Sequence, residues 1–303
     1  MKTYKKLISL PNLLLLFFNS ALIAQDFDTL KIVEHGAKLI QISNQFKFTE
    51  GPSADKKGNV FFTDQPNNKI WKYDINGQLT VFLEESGRSN GLFFDKKGNL
   101  FACADEQNEL WKISKDGNHS VVLDNFMSKK FNGPNDLWID KKGGIFFTDP
   151  YYQRVYWSRK KAEIDAQRVY YLSKGNMQAI IVEETLKQPN GIIGSKDGKH
   201  LFVADIKDNK TYKYDIGENG KLLNRILFVP QGSDGMTLDN LGNLYLTGKA
   251  ITIYNQKGEK IGKIPVPSNW VGNICFGGKN RNILFITASE SIYTLKMNVK
   301  GID

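Results

Sequence analysis

Six oxygen-bearing side chains recur at one position of a repeated sequence pattern. Five of them precede the glycine of a repeated turn by eight residues, and the sixth precedes Arg281, which replaces that glycine in the last unit. They are Glu50, Asn90, Asn135, Asn190, Asp234 and Asn273. If the units are arranged around an axis, a shared position points all six side chains toward it.

The chemistry of this set favours a metal site over a set of plain turns. "SNG", "PNG" and "SDG" are common turn sequences, and Asn or Asp before Gly often simply starts a strand. Glutamate is not a turn residue, however, and crowded carboxylates need compensation. Carboxylate and amide oxygens suit Ca²⁺, with another divalent cation as an option. Zinc is not expected, because His35, His119 and His200 lack ligand spacing.

The repeated unit is a turn followed by an apolar strand. It occurs as "DKKGNVFFTD", "DKKGNLFACAD", "DKKGGIFFTDP", "SKDGKHLFVAD", "DNLGNLYLTG" and, in degenerate form, "GKNRNILFITAS". The turn glycines are at positions 58, 98, 143, 198 and 242, spaced by 40, 45, 55 and 44 residues. A fixed period of this length indicates a repeat architecture.

Each unit continues into a second alternating run, such as "KIWKYD", "ELWKIS" or "KTYKYD". Four short strands per unit of about 40–45 residues are typical of a β-propeller. The sequence therefore predicts an all-β fold, a six-bladed β-propeller with four antiparallel strands per blade. We expect it to form one domain over residues 45–303, after an N-terminal lead-in over residues 25–44.

The third unit contains a long insertion, "PYYQRVYWSRKKAEIDAQR", at residues 150–168. The loop between the second and third strands lies on the same side as the blade-to-blade connection. The insertion is therefore predicted to overhang the face to which Glu50 points, as a lid or specificity wall. Tyr151, Tyr152 and Trp157 are its candidates for contact with a ligand.

Residues 1–24 have the layout of a secretory signal peptide: a basic start, the apolar run "LISLPNLLLLFF" and small residues before Gln25. Leu22 is an imperfect residue for such a cleavage site, so an uncleaved anchor is the alternative. Removal of Lys2, Lys5 and Lys6 lowers the formal charge from +9 to +6. We predict an exported protein, periplasmic or secreted, with no membrane span in the mature chain.

The remaining lysines are spread over turns such as "DKKG", and we interpret them as solvated turn residues. No nucleic-acid partner is expected, because no basic stripe is visible. Cys103 and Cys275 each lie in an apolar strand-like run, which favours buried thiols over a disulfide. Four aspartates that end the second strands are expected to cap the loops that follow: Asp64, Asp105, Asp149 and Asp205.

The motifs "EGP", "FFTD", "PND", "PNG" and "SDGM" occur in this order within residues 45–296. This arrangement resembles the gluconolactonase/regucalcin (senescence marker protein) family, whose relatives include the diisopropylfluorophosphatase and paraoxonase propellers. The resemblance implies a six-bladed propeller with one catalytic calcium in its channel. It assigns metal ligation to Glu50, Asn135, Asn190 and Asp234.

The resemblance also implies a reaction, the hydrolysis of a small-molecule lactone of a sugar acid. Calcium would polarise the lactone carbonyl, and Asp234 would act as general base or as nucleophile. The family's substrate-binding arginine corresponds here to Gly133. Arg88, two residues before Asn90, is the candidate replacement.

Asn90 and Asn273 are ring positions without an implied metal role, and we expect them to bind substrate, together with Tyr151 and Tyr152. Two other functions stay open: a phosphotriesterase or other esterase on the same metal site, and a non-catalytic propeller that binds a glycan or a protein. A strictosidine-synthase-type propeller would lack the ring. A serine hydrolase is not expected, because no G-x-S-x-G is present.

Overall fold

Six antiparallel sheets of four strands surround a central axis in the computed structural model, which describes residues 29–302. The inner strand of each sheet contacts the inner strands of both neighbouring sheets, so the ring is closed. The prediction of an all-β, six-bladed β-propeller is confirmed. The predicted signal segment, residues 1–24, lies outside the described residues.

Each blade contributes one strand to each of four layers, counted outward from the axis. The inner strands are β2 (Thr49–Ala54), β6 (Ser89–Phe94), β10 (Leu137–Ile139), β14 (Pro189–Gly194), β18 (Met236–Leu238) and β22 (Asn273–Gly277). The second strands are β3 (Val60–Asp64), β7 (Leu100–Ala104), β11 (Ile145–Asp149), β15 (His200–Asp205), β19 (Leu244–Leu246) and β23 (Ile283–Ala288). The third strands are β4 (Lys69–Tyr73), β8 (Glu109–Ile113), β12 (Arg168–Leu172), β16 (Lys210–Ile216), β20 (Ile251–Tyr254) and β24 (Ser291–Lys296). The outer strands are β5 (Leu79–Glu84), β9 (His119–Leu123), β13 (Ile180–Glu183), β17 (Leu222–Val229), β21 (Lys260–Ile264) and β1 (Ile40–Ser43).

The sixth blade joins the two ends of the chain. Its outer strand β1 pairs antiparallel with β24, with Ile40 opposite Thr294. The predicted lead-in, residues 25–44, therefore contributes its last strand to the propeller. The helical elements are short: α1 (Thr29–Ile32) and the 3-10 turns Gln65–Asn67 and Glu218–Gly220. Among residues 29–302, no helix is both long and apolar enough to cross a bilayer.

The hydrophobic core lies between adjacent blades, because each sheet has apolar side chains on both faces. The inner strands are almost entirely buried, as in β14, whereas most residues of the outer strand β17 are exposed. Cys103 and Cys275 are buried in separate clusters. Within the described chain they are not bonded to each other, which confirms the prediction of two buried thiols.

The repeated turns connect the inner strand to the second strand at the end of the blade opposite Glu50. In the first blade, Asp55 Oδ1 accepts hydrogen bonds from the backbone N–H groups of Lys57 (2.8 Å) and Asn59 (3.0 Å). The turn glycine Gly58 has a φ of +93°, which a glycine adopts without steric cost. Arg281 has a φ of +58° at the matching position of the sixth blade, so the degenerate copy keeps the same turn.

The turn lysines are exposed, in agreement with their interpretation as solvated turn residues, but the blade symmetry also gathers several of them at one opening. Lysines that are 40 or more residues apart in the sequence come together around the end of the channel at these turns. The lysines that line this end are Lys56, Lys96, Lys141 and Lys196. They form a cluster in the folded chain, which a linear search for a basic stripe does not detect.

Candidate active site

Five of the six ring residues line one cavity of about 230 Å³ at the starts of the inner strands. These residues are Glu50, Asn90, Asn135, Asn190 and Asp234. Other elements complete the wall with Phe48, Gln65, Tyr152, Arg154, Ile206 and Trp270. Counting back from the turn glycines therefore identified positions that meet in space.

Irregularities at the starts of the inner strands aim these side chains into the cavity. The register between inner and second strand shifts after Glu50 in the first blade, between Ser89 and Leu92 in the second, and between Pro189 and Ile192 in the fourth. Such bulges re-aim side chains that regular pairing would place elsewhere. Asn135 and Asp234 instead lie two residues before their strands begin.

The Glu50 carboxylate is buried, with 3% of the residue exposed. Its Oε2 accepts a hydrogen bond from the backbone N–H of Gly51 at 3.0 Å. Burial, together with the negative charge of Asp234, raises the pKa of Glu50 well above its ordinary value. A Cβ on Gly272 would lie 2.6 Å from Oε1, so this glycine leaves room for the carboxylate.

Asp234 is held by two hydrogen bonds, one to each carboxylate oxygen. The Asn190 amide nitrogen donates to Oδ1 at 2.9 Å, and the Trp270 indole nitrogen donates to Oδ2 at 2.6 Å. Burial raises the pKa of Asp234 to about 6 despite both donors. The two donors thus fix the orientation of the carboxylate.

The amide groups leave their oxygens available to a ligand. Asn190 donates one amide hydrogen to Asp234 and the other to the Tyr152 hydroxyl at 3.0 Å. Its Oδ1 accepts no hydrogen bond from residues 29–302. The side chains of Asn90 and Asn135 both line the cavity. Neither has a hydrogen-bond partner among residues 29–302.

The sixth ring residue, Asn273, lies elsewhere in the channel. It borders a smaller cavity of about 30 Å³ and donates from Nδ2 to Asp136 Oδ2 at 3.3 Å. The physical reason is the regular register of β22 with β23, which has no bulge at Asn273. Asn273 therefore does not line the larger cavity, and its position gives no support to the predicted contact with substrate.

Asp136 is a buried carboxylate that the sequence reasoning passed over. It follows Asn135, and burial raises its pKa to about 7. Four of the other ring residues are followed by glycine, at positions 51, 91, 191 and 235. Asn273 is followed by Ile274, so the aspartate in "PND" is the one charged residue at this position, and that was the available signal. A Cβ on Gly91 would lie 2.6 Å from Asp136 Oδ1, so these small residues pack closely around the axis.

The inserted loop between β11 and β12 covers the cavity, as its position in the repeat predicted. It contributes the Tyr152 ring and the Arg154 guanidinium to the wall. Arg154 is the one cationic side chain among the described residues that line this cavity. Its positive charge lowers the pKa values of Glu50 and Asp234 and so opposes the effect of their burial.

Asp105 anchors this loop from the neighbouring blade. Its Oδ2 is 2.9 Å from Arg154 Nε and also accepts a hydrogen bond from the Tyr156 hydroxyl. The backbone oxygen of Asp105 accepts from Trp157 Nε1 at 2.9 Å. Asp105 thus holds the buried side of the insertion through an ion pair and two hydrogen bonds.

The other three second-strand aspartates hold the chain that leads into the ring. Asp149, for example, accepts backbone hydrogen bonds from Asn132 (2.9 Å) and Gly133 (2.8 Å), just before Asn135. Asp64 and Asp205 bind the corresponding residues of their blades. Asp205 also caps the loop that follows, as predicted, by accepting from the backbone N–H of Asp208, whereas Asp64 accepts there only from the Asn67 side chain. Asp105 departs from this pattern, because its side chain binds the insertion instead.

Besides Asn273, two predicted substrate-binding residues lie outside the cavity lining, Arg88 and Tyr151. Arg88 pairs with Glu106 at 3.3 Å and lies over the Tyr156 ring, with 4.7 Å from Cζ to the ring centroid. The Tyr151 hydroxyl donates to Gln153 at 2.5 Å. Arg154, rather than Arg88, therefore places a cation in the cavity.

The donor set fits a hard divalent cation. Glu50 and Asp234 raise the local negative charge in a buried site, and the amide oxygens of Asn135 and Asn190 are available beside them. Carboxylate and amide oxygens with variable geometry are typical Ca²⁺ ligands. A cation among them would relieve the repulsion between the two carboxylates.

Known proteins resemble this chain in sequence and in fold. The SMP-30/Gluconolactonase/LRE-like region matches residues 48–290. A gluconolactonase of Zymomonas mobilis is 30% identical over 291 residues, covering 86% of this chain and 81% of that protein. Lactonase drp35 of Staphylococcus saprophyticus is 28% identical over 190 residues, covering 55% of this chain and 56% of that protein.

A solved structure has the same fold. The gluconolactonase of Xanthomonas campestris superposes with a TM-score of 0.84 at 23% identity, covering 90% of this chain and 94% of that one. The family match extends over most of the chain, and the fold agrees with it. The chain belongs to the SMP-30/gluconolactonase/LRE-like family.

Proposed function

We propose that this chain is a calcium-dependent hydrolase that opens lactones of sugar acids. The observation that carries the proposal is the convergence of Glu50 and Asp234 with the free amide oxygens of Asn135 and Asn190 in one cavity. These four residues would hold the cation. When bound, it supplies Lewis-acid polarisation of the lactone carbonyl.

Asp234 is the residue best placed to act on the reacting atoms. Its carboxylate faces the cavity and is held by Asn190 and Trp270, so little reorganisation precedes reaction. It either takes a proton from the attacking water or attacks the carbonyl carbon itself. A single turnover in H₂¹⁸O tests the second route, because ¹⁸O in Asp234 shows that the aspartate attacked the substrate and that water then attacked the aspartyl carbonyl carbon of the intermediate.

The wall of the cavity suits a small polyhydroxylated ring. Tyr152, Arg154, Gln65 and Asn90 present polar groups, and Phe48, Ile206 and Trp270 present apolar surface. A few directed polar groups on a partly apolar wall are typical of small-molecule sites. The Arg154 guanidinium would bind substrate hydroxyl groups near the carbonyl.

The test is pH-stat hydrolysis of several aldonolactones, with and without a calcium chelator. We expect lactone opening above the spontaneous rate, its loss on chelation and its return when Ca²⁺ is restored. Hydrolysis of a phosphotriester or an aryl ester without lactone opening would instead identify the alternative esterase. Activity that survives complete chelation would contradict the metal assignment, and a chain inactive on the whole panel would be a binding propeller.

Export stays part of the proposal. The signal-like residues 1–24 support it. Expression of the full chain followed by sequencing of the mature N-terminus tests it. We expect the mature protein to begin at Gln25, and recovery of an uncleaved N-terminus in the membrane fraction would favour the anchor.

A further inference from the structure

A second cavity opens at the opposite end of the channel from the candidate active site. Its volume is about 270 Å³, and the repeated turns surround it. Lys56 belongs to this rim and lies two residues beyond the end of β2, whereas Glu50 lies near the start of that strand. The length of the inner strands therefore separates the two cavities.

Five cationic side chains line this second cavity. Four are the first lysines of the turns in the first four blades, and the fifth comes from the sixth blade; they are Lys56, Lys96, Lys141, Lys196 and Arg281. Because one sequence position supplies four of them, the propeller symmetry directs them to the same opening. Like charges gathered at a concave surface attract anions.

The two carboxylates in the lining are already engaged in their turns. Asp95 Oδ1 accepts from two backbone N–H groups, and its Oδ2 accepts from the Asn99 amide at 2.7 Å. Asp140 Oδ1 likewise accepts from two backbone N–H groups, and its Oδ2 accepts from the Tyr171 hydroxyl at 2.8 Å. The two carboxylates therefore orient the turns, and the five cations of the lining outnumber them.

Arg281 is held in the wall by the turn of the first blade. Its Nη2 donates to the backbone oxygen of Asp55 at 2.7 Å. Its Nη1 is buried and has no hydrogen-bond partner in residues 29–302. The guanidinium therefore adds a positive charge to the cavity wall at a fixed position.

The rest of the wall is apolar and partly aromatic. Phe93, Trp138, Ile139 and Ile302 line the cavity beneath the cationic rim. A fully hydrated inorganic anion would leave this surface unused. An organic anion would place its charged group among the cations and its apolar body against Trp138 and Phe93.

We propose that this cavity is a binding site for a small amphipathic organic anion, an aromatic or alkyl carboxylate or sulfonate. The site is separate from the proposed lactone site and does not depend on it. Its specificity comes from the cationic rim and the aromatic wall together. The lactone-opening reaction is expected to continue whether or not the site is filled.

The experiment is calorimetric titration of the full-length protein with 2-naphthoate. Three turns have the same sequence, "DKKG", with one lysine that lines the cavity and one that does not. The triple variant K56Q/K96Q/K141Q changes the lining lysines. The matched control K57Q/K97Q/K142Q removes the same charge from the same turns.

We expect saturable 1:1 binding to the wild-type chain, at least tenfold weaker binding to K56Q/K96Q/K141Q and a change of less than twofold in K57Q/K97Q/K142Q. Arg281→Gln should weaken binding, as should neutral 2-naphthamide in place of the acid. Equal effects of the two triple variants would show that binding depends only on the net charge of the protein, and would overturn the proposal. Absence of saturable binding, or binding only to vesicles of anionic lipid, would overturn it as well. Thermal unfolding of each variant verifies that it is folded.

Discussion

The Arg154 guanidinium and the Asp105 carboxylate form an ion pair across two blades, with 2.9 Å between Nε and Oδ2. Arg154 belongs to the insertion of the third blade, and Asp105 directly follows β7 of the second. The contact links the loop that covers the cavity to the body of the propeller. It also fixes the one cation that faces Glu50 and Asp234 in the described cavity lining.

Asp105→Asn tests this anchor. The change leaves Arg154 without its buried ionic partner and weakens the contact to Tyr156. Breaking a buried pair on one side costs about 3–5 kcal/mol, so we expect a lower melting temperature and a lower kcat/KM for lactone opening. Asp208→Asn is the control, since Asp208 pairs with Lys187 and Lys210 at the surface, where solvent screens the interaction and its loss costs little stability. Equal behaviour of the two variants would contradict the anchoring role.

Arg154→Gln and Arg88→Gln compare the two candidate arginines directly. Arg154 lines the cavity, whereas Arg88 lies behind it against Tyr156. We expect Arg154→Gln to lower kcat/KM at least tenfold, which is about 1.4 kcal/mol of transition-state stabilisation. Arg88→Gln should change it less than threefold. Steady-state kinetics on one aldonolactone compare the two variants. A larger loss of kcat/KM in Arg88→Gln would indicate that Arg88, and not Arg154, contacts the substrate.

The metal-free protein should lose stability as the pH rises from 5 to 8. Burial raises the pKa of Asp136 to about 7 and that of Asp234 to about 6, and it raises the pKa of Glu50 well above its ordinary value. In this range the native chain therefore holds more protons than the unfolded chain, and the free energy of unfolding falls with pH. Melting temperatures of the chelated protein check the sign, and a rise toward pH 8 would contradict it.

Calcium affinity should change in the opposite direction over the same range. The carboxylates must lose their protons before they bind a cation. The difference in melting temperature between the Ca²⁺-loaded and chelated protein should therefore widen from pH 5 to pH 8. Asp136→Asn should flatten the slope of the metal-free curve, because it removes one of the groups that titrate in this window.

Gly191→Ala tests the close packing of the ring. A Cβ at this position would lie 2.5 Å from the backbone oxygen of Asp234, so the neighbouring blade would have to shift. We expect destabilisation by about 2–4 kcal/mol and a large loss of activity. Gly175→Ala is the control for added backbone strain without a clash: its φ of +83° is unfavourable for alanine, which is not so at Gly191, and no atom lies within 4 Å of the added Cβ. Denaturant unfolding compares the two, and equal losses would exclude a packing role for Gly191.

The fold and most of the ring could be predicted because they repeat. The turn glycines establish a phase, and counting back from them reaches Glu50 and Asp234 although 184 residues separate the two in the sequence. Asn273 occupies the matching repeat position but lies outside this cavity, because it begins the regularly paired strand β22 and neither precedes its strand nor lies next to a bulge like the one in β2. The presence of a bulge depends on packing around the axis, which the repeat pattern does not encode.

Features without a repeat template were not predictable. Arg154 is one of several cations in the insertion, and only the fold shows that Asp105 turns it toward the cavity. The lysine cluster does have a repeat template, since each of its four lysines is the first one of a repeated turn, but a search for neighbouring basic residues does not find it. Lys56 and Lys141 are distant in the sequence, and the propeller brings them to one opening.

Calorimetric titration of the metal-free chain with Ca²⁺ is the decisive experiment on the proposed metal site. We expect one strong site in the wild-type chain, lost in Glu50→Gln and in Asp234→Asn while both variants stay folded, with Asp234→Asn also lacking lactone opening. Asn273→Ala should still bind, because Asn273 lies outside the cavity that holds the four proposed ligands. Undiminished Ca²⁺ binding by Glu50→Gln, or wild-type turnover by Asp234→Asn, would contradict the proposed site.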